Sequence, residues 1–189
     1  MEFIKLEDHI YAMVDDEDYE RVSQYKYRAE KVGNHIYANR RYQRNYVVYN
    51  TFLHYDVLGI SHDDIKPLVV DHKNRNPLDC RKGNLRICTR AENCHNSRPM
   101  KGKSSKYKGV IFRPGYGNYR RKKPWHVVMQ KEGKRHSFGY FATEFEAYKK
   151  ANVEAYRLYG PFAYLNNWTG PTRLCKNCGV FEKDDEEKR

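Results

Sequence analysis

The sequence lacks any run of apolar residues long enough to span a bilayer, and no signal-peptide pattern opens it. These two absences predict a soluble, intracellular protein that does not span a membrane. Cysteine is also scarce, at five of 189 residues. In such a protein, reduced or metal-bound thiols are favoured over disulfides. Acidic residues are nearly missing from one stretch, because 101–136 holds 12 Lys or Arg and only one acid, Glu132.

Aromatic residues, by contrast, are abundant at 14%, with 17 tyrosines, which predicts a folded chain rather than a disordered one. The net charge of +12 predicts a polyanionic partner, either nucleic acid or an acidic membrane surface. Nearly all of this excess lies in 101–136, so we expect the contacts with that partner to concentrate there. The candidate basic residues are Lys101, Lys103, Lys106, Lys108, Arg113, Arg121, Lys122, Lys123 and Arg135.

The first half of the chain reads as short strands and short helices. A hairpin is predicted over 3–14, further strands over 26–38 and 42–53, and a short helix ending near Gly59. The stretch "LVVDH" then predicts a strand, followed by a polar loop and a second strand, "LRIC". Thr89, three residues before Glu92, forms a capping-box pattern that predicts a helix from about Arg90.

This order of elements gathers residues that suit phosphodiester hydrolysis. The first strand ends on Asp71 and His72, Asn84 closes the loop, and the helix carries Asn93. A hard cation prefers oxygen ligands, which Asp71 and the side chain of Asn93 could supply. An imidazole could take a proton from the attacking water. Asn96, one helical turn later, is the alternative ligand.

Residues 4–98 resemble the HNH homing endonucleases of phages and introns, with their ββα-metal core. The resemblance rests above all on "LHYDVLG" and "VDHKNRNPLDCRKGNLRICTRAENCHNSR". It implies that His72 is the general base, that Asp71 and Asn93 hold one Mg²⁺ or Mn²⁺, and that Asn84 tethers the loop and orients the base. Two positions depart from the pattern: Tyr55, where relatives commonly have Arg, and Cys80, where many have Asn.

The second half, after the basic linker, is predicted to form three strands at 107–113, 125–130 and 135–141 and a helix that stops at Gly160. The segment "YKGVIFR…WHVVMQKEGKRHSFGYFATEFEAYKKANVEAYRLYGPFAYLN" resembles the plant ethylene-response-factor (ERF, APETALA-type) DNA-binding domain. That resemblance implies a three-stranded sheet laid in the DNA major groove. The DNA-facing positions it implies are Lys108, Ile111, Arg113, Val128, Gln130, Arg135 and Ser137.

The tail contains one Cys-x-x-Cys, formed by Cys175 and Cys178. It resembles half of a zinc ribbon, but a structural zinc needs four ligands and no second such pair exists. Free thiols are therefore favoured over a structural Zn²⁺.

Together these features predict an α+β protein of two modules. We expect a β-rich HNH domain over 1–98 with its ββα-metal core at about 68–97, a basic linker over 99–106, an ERF-like domain over 107–167 and a charged tail over 168–189. The expected function is site-selective, metal-dependent cleavage of double-stranded DNA, by a monomer or weak dimer. The phage- or intron-type resemblance implies the cytoplasm of a bacterial host. The alternatives are a non-catalytic DNA-binding regulator or accessory protein with an idle HNH fold, and an RNA-binding protein whose tyrosines stack on bases.

Overall fold

The computed structural model describes residues 1–169, which divide into two compact units at the Ser97–Arg98 bond. Helices and several small antiparallel sheets alternate along the chain, so the predicted α+β class is confirmed. Within the described residues, no helix is both long and apolar enough to cross a membrane.

The first unit contains seven strands and four short helices. The strands are β1 (Glu2–Glu7), β2 (Ile10–Val14), β3 (Arg28–Val32), β4 (His35–Arg44), β5 (Val47–Phe52), β6 (Val69–His72) and β7 (Leu85–Cys88). The helices are α1 (Asp16–Ser23), α2 (Leu53–Leu58), α3 (His62–Ile65) and α4 (Arg90–Asn96). Its core packs the β1–β2 hairpin against α1, α2 and β7, through residues such as Val14, Val22, Leu53, Val57 and Leu85.

The β3–β4–β5 sheet differs from the expected strands. The single strand predicted over 26–38 is a hairpin, because the chain turns at Gly33 with a φ of +60°, a conformation open to glycine. The strand β4 then continues to Arg44, well beyond the predicted end. The short helix predicted to end near Gly59 is α2, and Gly59 caps it in the left-handed conformation.

The β6–β7–α4 segment has the predicted strand, loop, strand and helix. Val69–His72 pairs antiparallel with Leu85–Cys88, and Asp71 lies opposite Arg86. The Thr89 side chain accepts a hydrogen bond from the Glu92 backbone, while the Glu92 carboxylate accepts one from the backbone of Thr89. The capping box therefore starts α4 at Arg90, as its pattern predicts.

The second unit contains a three-stranded antiparallel sheet, a separate two-stranded hairpin and one long helix. Its strands are β8 (Val110–Phe112), β9 (Gly115–Tyr116), β10 (Tyr119–Arg120), β11 (Trp125–Lys131) and β12 (Lys134–Phe141), followed by α5 (Glu144–Tyr159). The sheet order is β12–β11–β8, and β9–β10 forms a separate small hairpin. Ala147, Ala151 and Ala155 let α5 lie close on Val127 and Met129, which leaves the other face of the sheet uncovered by the helix.

The predicted linker is partly anchored to this second unit. Ser105 is buried, and its hydroxyl donates to the Glu144 carboxylate of α5 at 2.7 Å. The Ser104 hydroxyl accepts from the backbone of Phe112 at 3.0 Å. The chain is therefore fixed to the second unit from Ser104 onward.

Candidate functional site

The carboxylate of Asp71 is buried at the end of β6 and paired with a guanidinium. Arg86, directly opposite on β7, donates from Nε and Nη2 to Asp71 Oδ2 at 2.8 and 2.6 Å. Both side chains are largely buried. An ionised carboxylate this deep requires a charge partner or a metal ion, since its desolvation is otherwise costly.

Asn96 holds the same carboxylate from the helix. Its Nδ2 lies 3.1 Å from both Asp71 oxygens, 3.1 Å from the carbonyl of His72 and 3.4 Å from that of Lys73. All four partners are acceptors, so the amide must present its nitrogen to them. Its oxygen lies instead on the side of Arg75, at 3.5 Å from Nη1.

Asn93 lies one turn earlier on α4, where its side chain is exposed. Its backbone hydrogen-bonds the thiol of Cys88, and the charge of Asp71 acts on that same thiol. Burial first, and then Asp71, raise the pKa of this thiol to about 11. Asn93 and Asp71 thus both lie near Cys88, with the Asn93 side chain open to solvent.

His72 is buried beside Asp71 in an aromatic surround. Its ring centroid lies 5.2 Å from that of His54 and 6.3 Å from that of Tyr37, both edge-on. Burial lowers the pKa of His72 to about 4, against the opposing charges of Asp71 and Asp79, so the ring is neutral at pH 7. Among the described residues, Nε2 has no hydrogen-bond partner although it is buried. A histidine kept only for structure normally has such a group satisfied.

Asn84 clamps the loop between β6 and β7. Its Oδ1 accepts from the backbone of Asn74 at 2.9 Å, and its Nδ2 donates to the carbonyl of Asp79 at 2.7 Å. Its own carbonyl accepts from the backbone of Lys73 at 2.8 Å. The loop that begins right after His72 is therefore held at three points by one residue.

The loop is also docked onto the N-terminal hairpin. Met13 donates its backbone N–H to the Leu78 carbonyl at 2.7 Å, and its carbonyl accepts from Cys80 at 2.8 Å. Asp79, almost fully buried, is held by both Arg81 and the Asn74 side chain. These contacts tie the segment after His72 to the core of the first unit.

Sequence reasoning did not assign three residues to this site. Tyr37 comes from β4, His54 from α2, and Arg86 from β7, where it lies opposite Asp71. The register of β6 and β7 would have identified Arg86, because the loop length of a hairpin fixes which residue lies opposite Asp71. No local pattern in the sequence indicates that β4 and α2 lie close to His72.

The two departures from the HNH pattern are both packing positions. Tyr55 is buried, with its ring centroid 4.4 Å from that of His54 and 5.9 Å from that of His62. Cys80 lies in the core cluster, and burial raises the pKa of its thiol. Cys80 and Cys88 are both free thiols.

Most of the proposed DNA contacts lie exposed on the second unit. The exposed ones are Lys101, Lys103, Lys106, Arg113, Arg121, Lys122, Lys123, Gln130, Arg135 and Ser137, while Lys108 is half-buried. Cross-strand register pairs Gln130 with Arg135 and Val128 with Ser137, which puts these four on the sheet face opposite α5. Ile111, opposite His126, lies on the same face.

His126 belongs to this face although sequence reasoning passed it over. Its Nε2 shares a 2.8 Å hydrogen bond with the Ser137 hydroxyl, and its ring stacks on Tyr140 at 4.2 Å. Burial, and then the charges of Arg113, Arg135 and Arg121, lower its pKa. Strand alternation from Gln130 would have identified it.

Cys175 and Cys178, the proposed half of a zinc site, lie outside the described residues. Within residues 1–169, no group of three or more His, Cys, Asp or Glu side chains is arranged to hold a metal ion.

Residues 64–95 match the family model described as HNH endonuclease. The matched range covers β6, the clamped loop, β7 and α4 up to the residue before Asn96. No curated protein and no solved structure matches the chain. The match supports an HNH endonuclease domain in the first unit and, with it, nuclease activity on DNA.

Proposed function

We propose that this protein is a divalent-metal-dependent DNA endonuclease in which His72 is the general base. The observation that carries this proposal is that the carboxylate of Asp71 is followed directly by a buried, neutral His72. The Nε2 atom of this histidine has no hydrogen-bond partner among the described residues. An unpaired buried polar atom costs about 1–3 kcal/mol. Such a cost is typical of a site kept for chemistry rather than for packing.

The residues present fit a magnesium or manganese ion. Asp71 offers a carboxylate oxygen and Asn93 a side-chain amide oxygen, which are the ligand types that such ions prefer. Asn93 is exposed, so its oxygen is accessible, whereas the Asn96 amide presents nitrogen to Asp71. We therefore propose Asp71 and Asn93 as the ligands. When bound, the ion would neutralise charge on the scissile phosphate and the leaving oxygen.

Each residue of the proposed site would have a separate role in the reaction. The neutral imidazole of His72 takes the proton from the attacking water. Asn84 holds the loop that follows His72 and so fixes the direction of the ring. Asn96 and Arg86 hold the Asp71 carboxylate in place as positioning residues.

We further propose that the enzyme is site-selective and of the homing type, with the basic face of the second unit binding double-stranded DNA. Support comes from exposed Arg113, Gln130 and Arg135 on a sheet face that the helix does not cover. Since each chain carries one His72 site, one chain would cut one strand, so a double-strand break would need two chains or two visits.

The test is cleavage of supercoiled plasmid with Mg²⁺, followed by end mapping. We expect His72→Ala to lower the rate by ~10²–10⁴, the usual effect of losing a general base, with DNA affinity unchanged. The matched control is His35→Ala, which removes an exposed imidazole of the same unit. Cleavage by His72→Ala at the wild-type rate would reject the assignment, and no cleavage by the wild type would favour a regulator with an idle fold.

A further inference from the structure

His126 lies under the sheet face that α5 leaves uncovered. It is on β11, opposite Ile111 of β8 and Tyr140 of β12, and it is only 6% exposed. The register of β12 shifts between the partners of His126 and Val128, so Tyr140 and Ser137, three residues apart, both lie next to the imidazole. Such irregularities re-aim side chains. This one places two side chains of β12 around a single histidine.

Two contacts fix the ring of His126. It stacks on the ring of Tyr140, with the centroids 4.2 Å apart and the planes 8° apart. Its Nε2 shares a 2.8 Å hydrogen bond with the hydroxyl of Ser137, a residue that is exposed. Its Nδ1 is buried and has no hydrogen-bond partner among the described residues. Buried polar atoms are normally paired, so this nitrogen indicates a role other than packing.

The charges that act on His126 come from three guanidiniums. They belong to Arg113, to Arg135 of β12, and to Arg121, whose Cζ lies 5.3 Å from the ring centroid of Tyr140. Burial, and then these arginines, lower the pKa of His126, so the ring is neutral at pH 7. Phosphates bound beside the arginines would offset their charge and favour the protonated ring. By reciprocity, protonation of the ring then favours the phosphates.

The protonation state of His126 decides what the Ser137 hydroxyl can do. With a neutral ring, the hydroxyl can either donate to Nε2 or accept from it. With a charged ring, both nitrogens are donors, so Nε2 must donate to the serine oxygen. The hydroxyl hydrogen is then free to point from the exposed side chain toward an acceptor. Beside three guanidiniums, a phosphate oxygen is the acceptor that fits.

We infer that DNA binding by this sheet face protonates His126, which then holds the Ser137 hydroxyl as a donor to a backbone phosphate. The proton comes from the solvent. This inference rests on the proposed binding of double-stranded DNA by the second unit, and it makes His126 a positioning residue that acts through Ser137. DNA affinity should rise as the pH falls, because the complex holds a proton that the free protein lacks. The gain is lost as the pH rises through the pKa of the DNA-bound ring.

The test is fluorescence anisotropy of two labelled duplexes of unrelated sequence, with the full chain, no divalent metal and constant ionic strength, between pH 8 and pH 6. His126→Phe keeps a ring against Tyr140 but removes the proton site and the bond to Ser137. His126→Gln keeps a neutral N–H donor for Ser137 and cannot be protonated. Ser137→Ala removes the hydroxyl. The matched control is His136→Phe, because His136 lies opposite Met129 on the α5 side of the sheet.

Between pH 8 and pH 6, the wild type and His136→Phe should gain ~3- to 10-fold more affinity than either His126 variant, since one pKa unit corresponds to about tenfold. At pH 6, Ser137→Ala should bind both duplexes ~3- to 10-fold more weakly than the wild type, as expected for one hydrogen bond to a charged group. The losses should not multiply in His126→Phe/Ser137→Ala, because the hydroxyl acts only while the ring holds it. His126→Gln should bind more tightly than His126→Phe.

An equal gain in affinity for the wild type and His126→Phe would overturn the inference, as would a Ser137→Ala protein with wild-type affinity at pH 6. A loss confined to one of the two duplexes would indicate a base contact and would overturn the phosphate assignment. Thermal unfolding at each pH checks that the variants fold. Should His126→Phe not fold, His126→Gln and the exposed-site variant Ser137→Ala still decide the question.

Failure of the nuclease proposal is distinguishable from failure of this inference. Binding whose pH dependence requires His126, with no cutting when Mg²⁺ is added, would reject the nuclease and keep the inference. Cutting by the wild type, with the same pH dependence of binding in every variant, would reject the inference and keep the nuclease.

Discussion

Asn96 lies in the last turn of α4, and its side-chain Nδ2 donates hydrogen bonds toward both carboxylate oxygens of Asp71, at 3.1 Å each. The same nitrogen reaches the backbone carbonyls of His72 and Lys73. One buried amide thus ties the helix to the strand end that carries both proposed catalytic groups. This arrangement separates the two asparagines of α4 into a positioning residue, Asn96, and a proposed ligand, Asn93.

Asn96→Ala should destabilise the protein by about 1–3 kcal/mol, because buried acceptors lose their donor. Denaturant unfolding of the full chain, without metal, measures this. The conservative variant Asn96→Gln should recover part of the loss only if its longer side chain still reaches Asp71. An Asn96→Ala protein as stable as the wild type would show that these contacts contribute nothing to the fold.

Asn93→Ala should change metal binding and leave stability nearly unchanged. Its side chain is exposed, and such substitutions usually alter the free energy of unfolding by less than about 0.5 kcal/mol. As one of very few protein ligands, however, it should raise the Mn²⁺ concentration that half-saturates binding and cleavage. Electron paramagnetic resonance of free Mn²⁺ reports binding apart from activity. If Asn96→Ala weakens Mn²⁺ binding while Asn93→Ala does not, the ligand lies on the later turn.

His54 makes the protein sensitive to acid. Burial, and next the neighbouring His72, lower its pKa to about 3. Between pH 6.5 and about 3 the unfolded state therefore binds a proton that the folded state excludes, so stability present above pH 6.5 is lost as the pH falls. His54→Phe, which keeps a ring against Phe52 and Tyr55, should flatten this loss by roughly 1 kcal/mol per pH unit.

The measurement is the free energy of unfolding between pH 7 and pH 4. The control is His35→Phe, a change at an exposed position, which should leave the slope as in the wild type. Because His72 also has a lowered pKa, of about 4, part of the slope should persist in His54→Phe. A slope identical in His54→Phe and the wild type would contradict the prediction.

The features that sequence predicts well here are encoded within a few residues. The capping box at Thr89 starts α4 where its pattern indicates, and α5 ends at Tyr159, just before the predicted stop at Gly160. The order of strand, loop, strand and helix around Asp71 likewise follows from local pattern.

What the sequence does not reveal depends on contacts between distant segments. Tyr37 precedes His72 by 35 positions, and only the fold brings its ring near the imidazole. The lowered pKa of His72 is a consequence of the burial of its ring and so could not be read from the neighbouring residues Asp71 and His72 alone. The exposure of the β4–β5 hairpin is equally hidden, since only the structure shows that residues 41 to 50 are exposed on both faces of the two strands.

The basic face of the second unit should carry much of the salt dependence of DNA binding. Arg113 and Arg135 are exposed, and Arg135 lies opposite Gln130 on the sheet face away from α5. Each phosphate contact that is lost should flatten the log–log slope of affinity against salt by about 0.9. Arg113→Gln/Arg135→Gln should therefore bind more weakly at low salt and show a slope shallower by up to roughly two such steps.

The control, Lys149→Gln, removes an exposed charge from α5, and its slope should match that of the wild type. Fluorescence anisotropy of a labelled duplex across a salt series measures all three. Equal slopes for the double variant and Lys149→Gln would mean that this sheet face does not touch the phosphates.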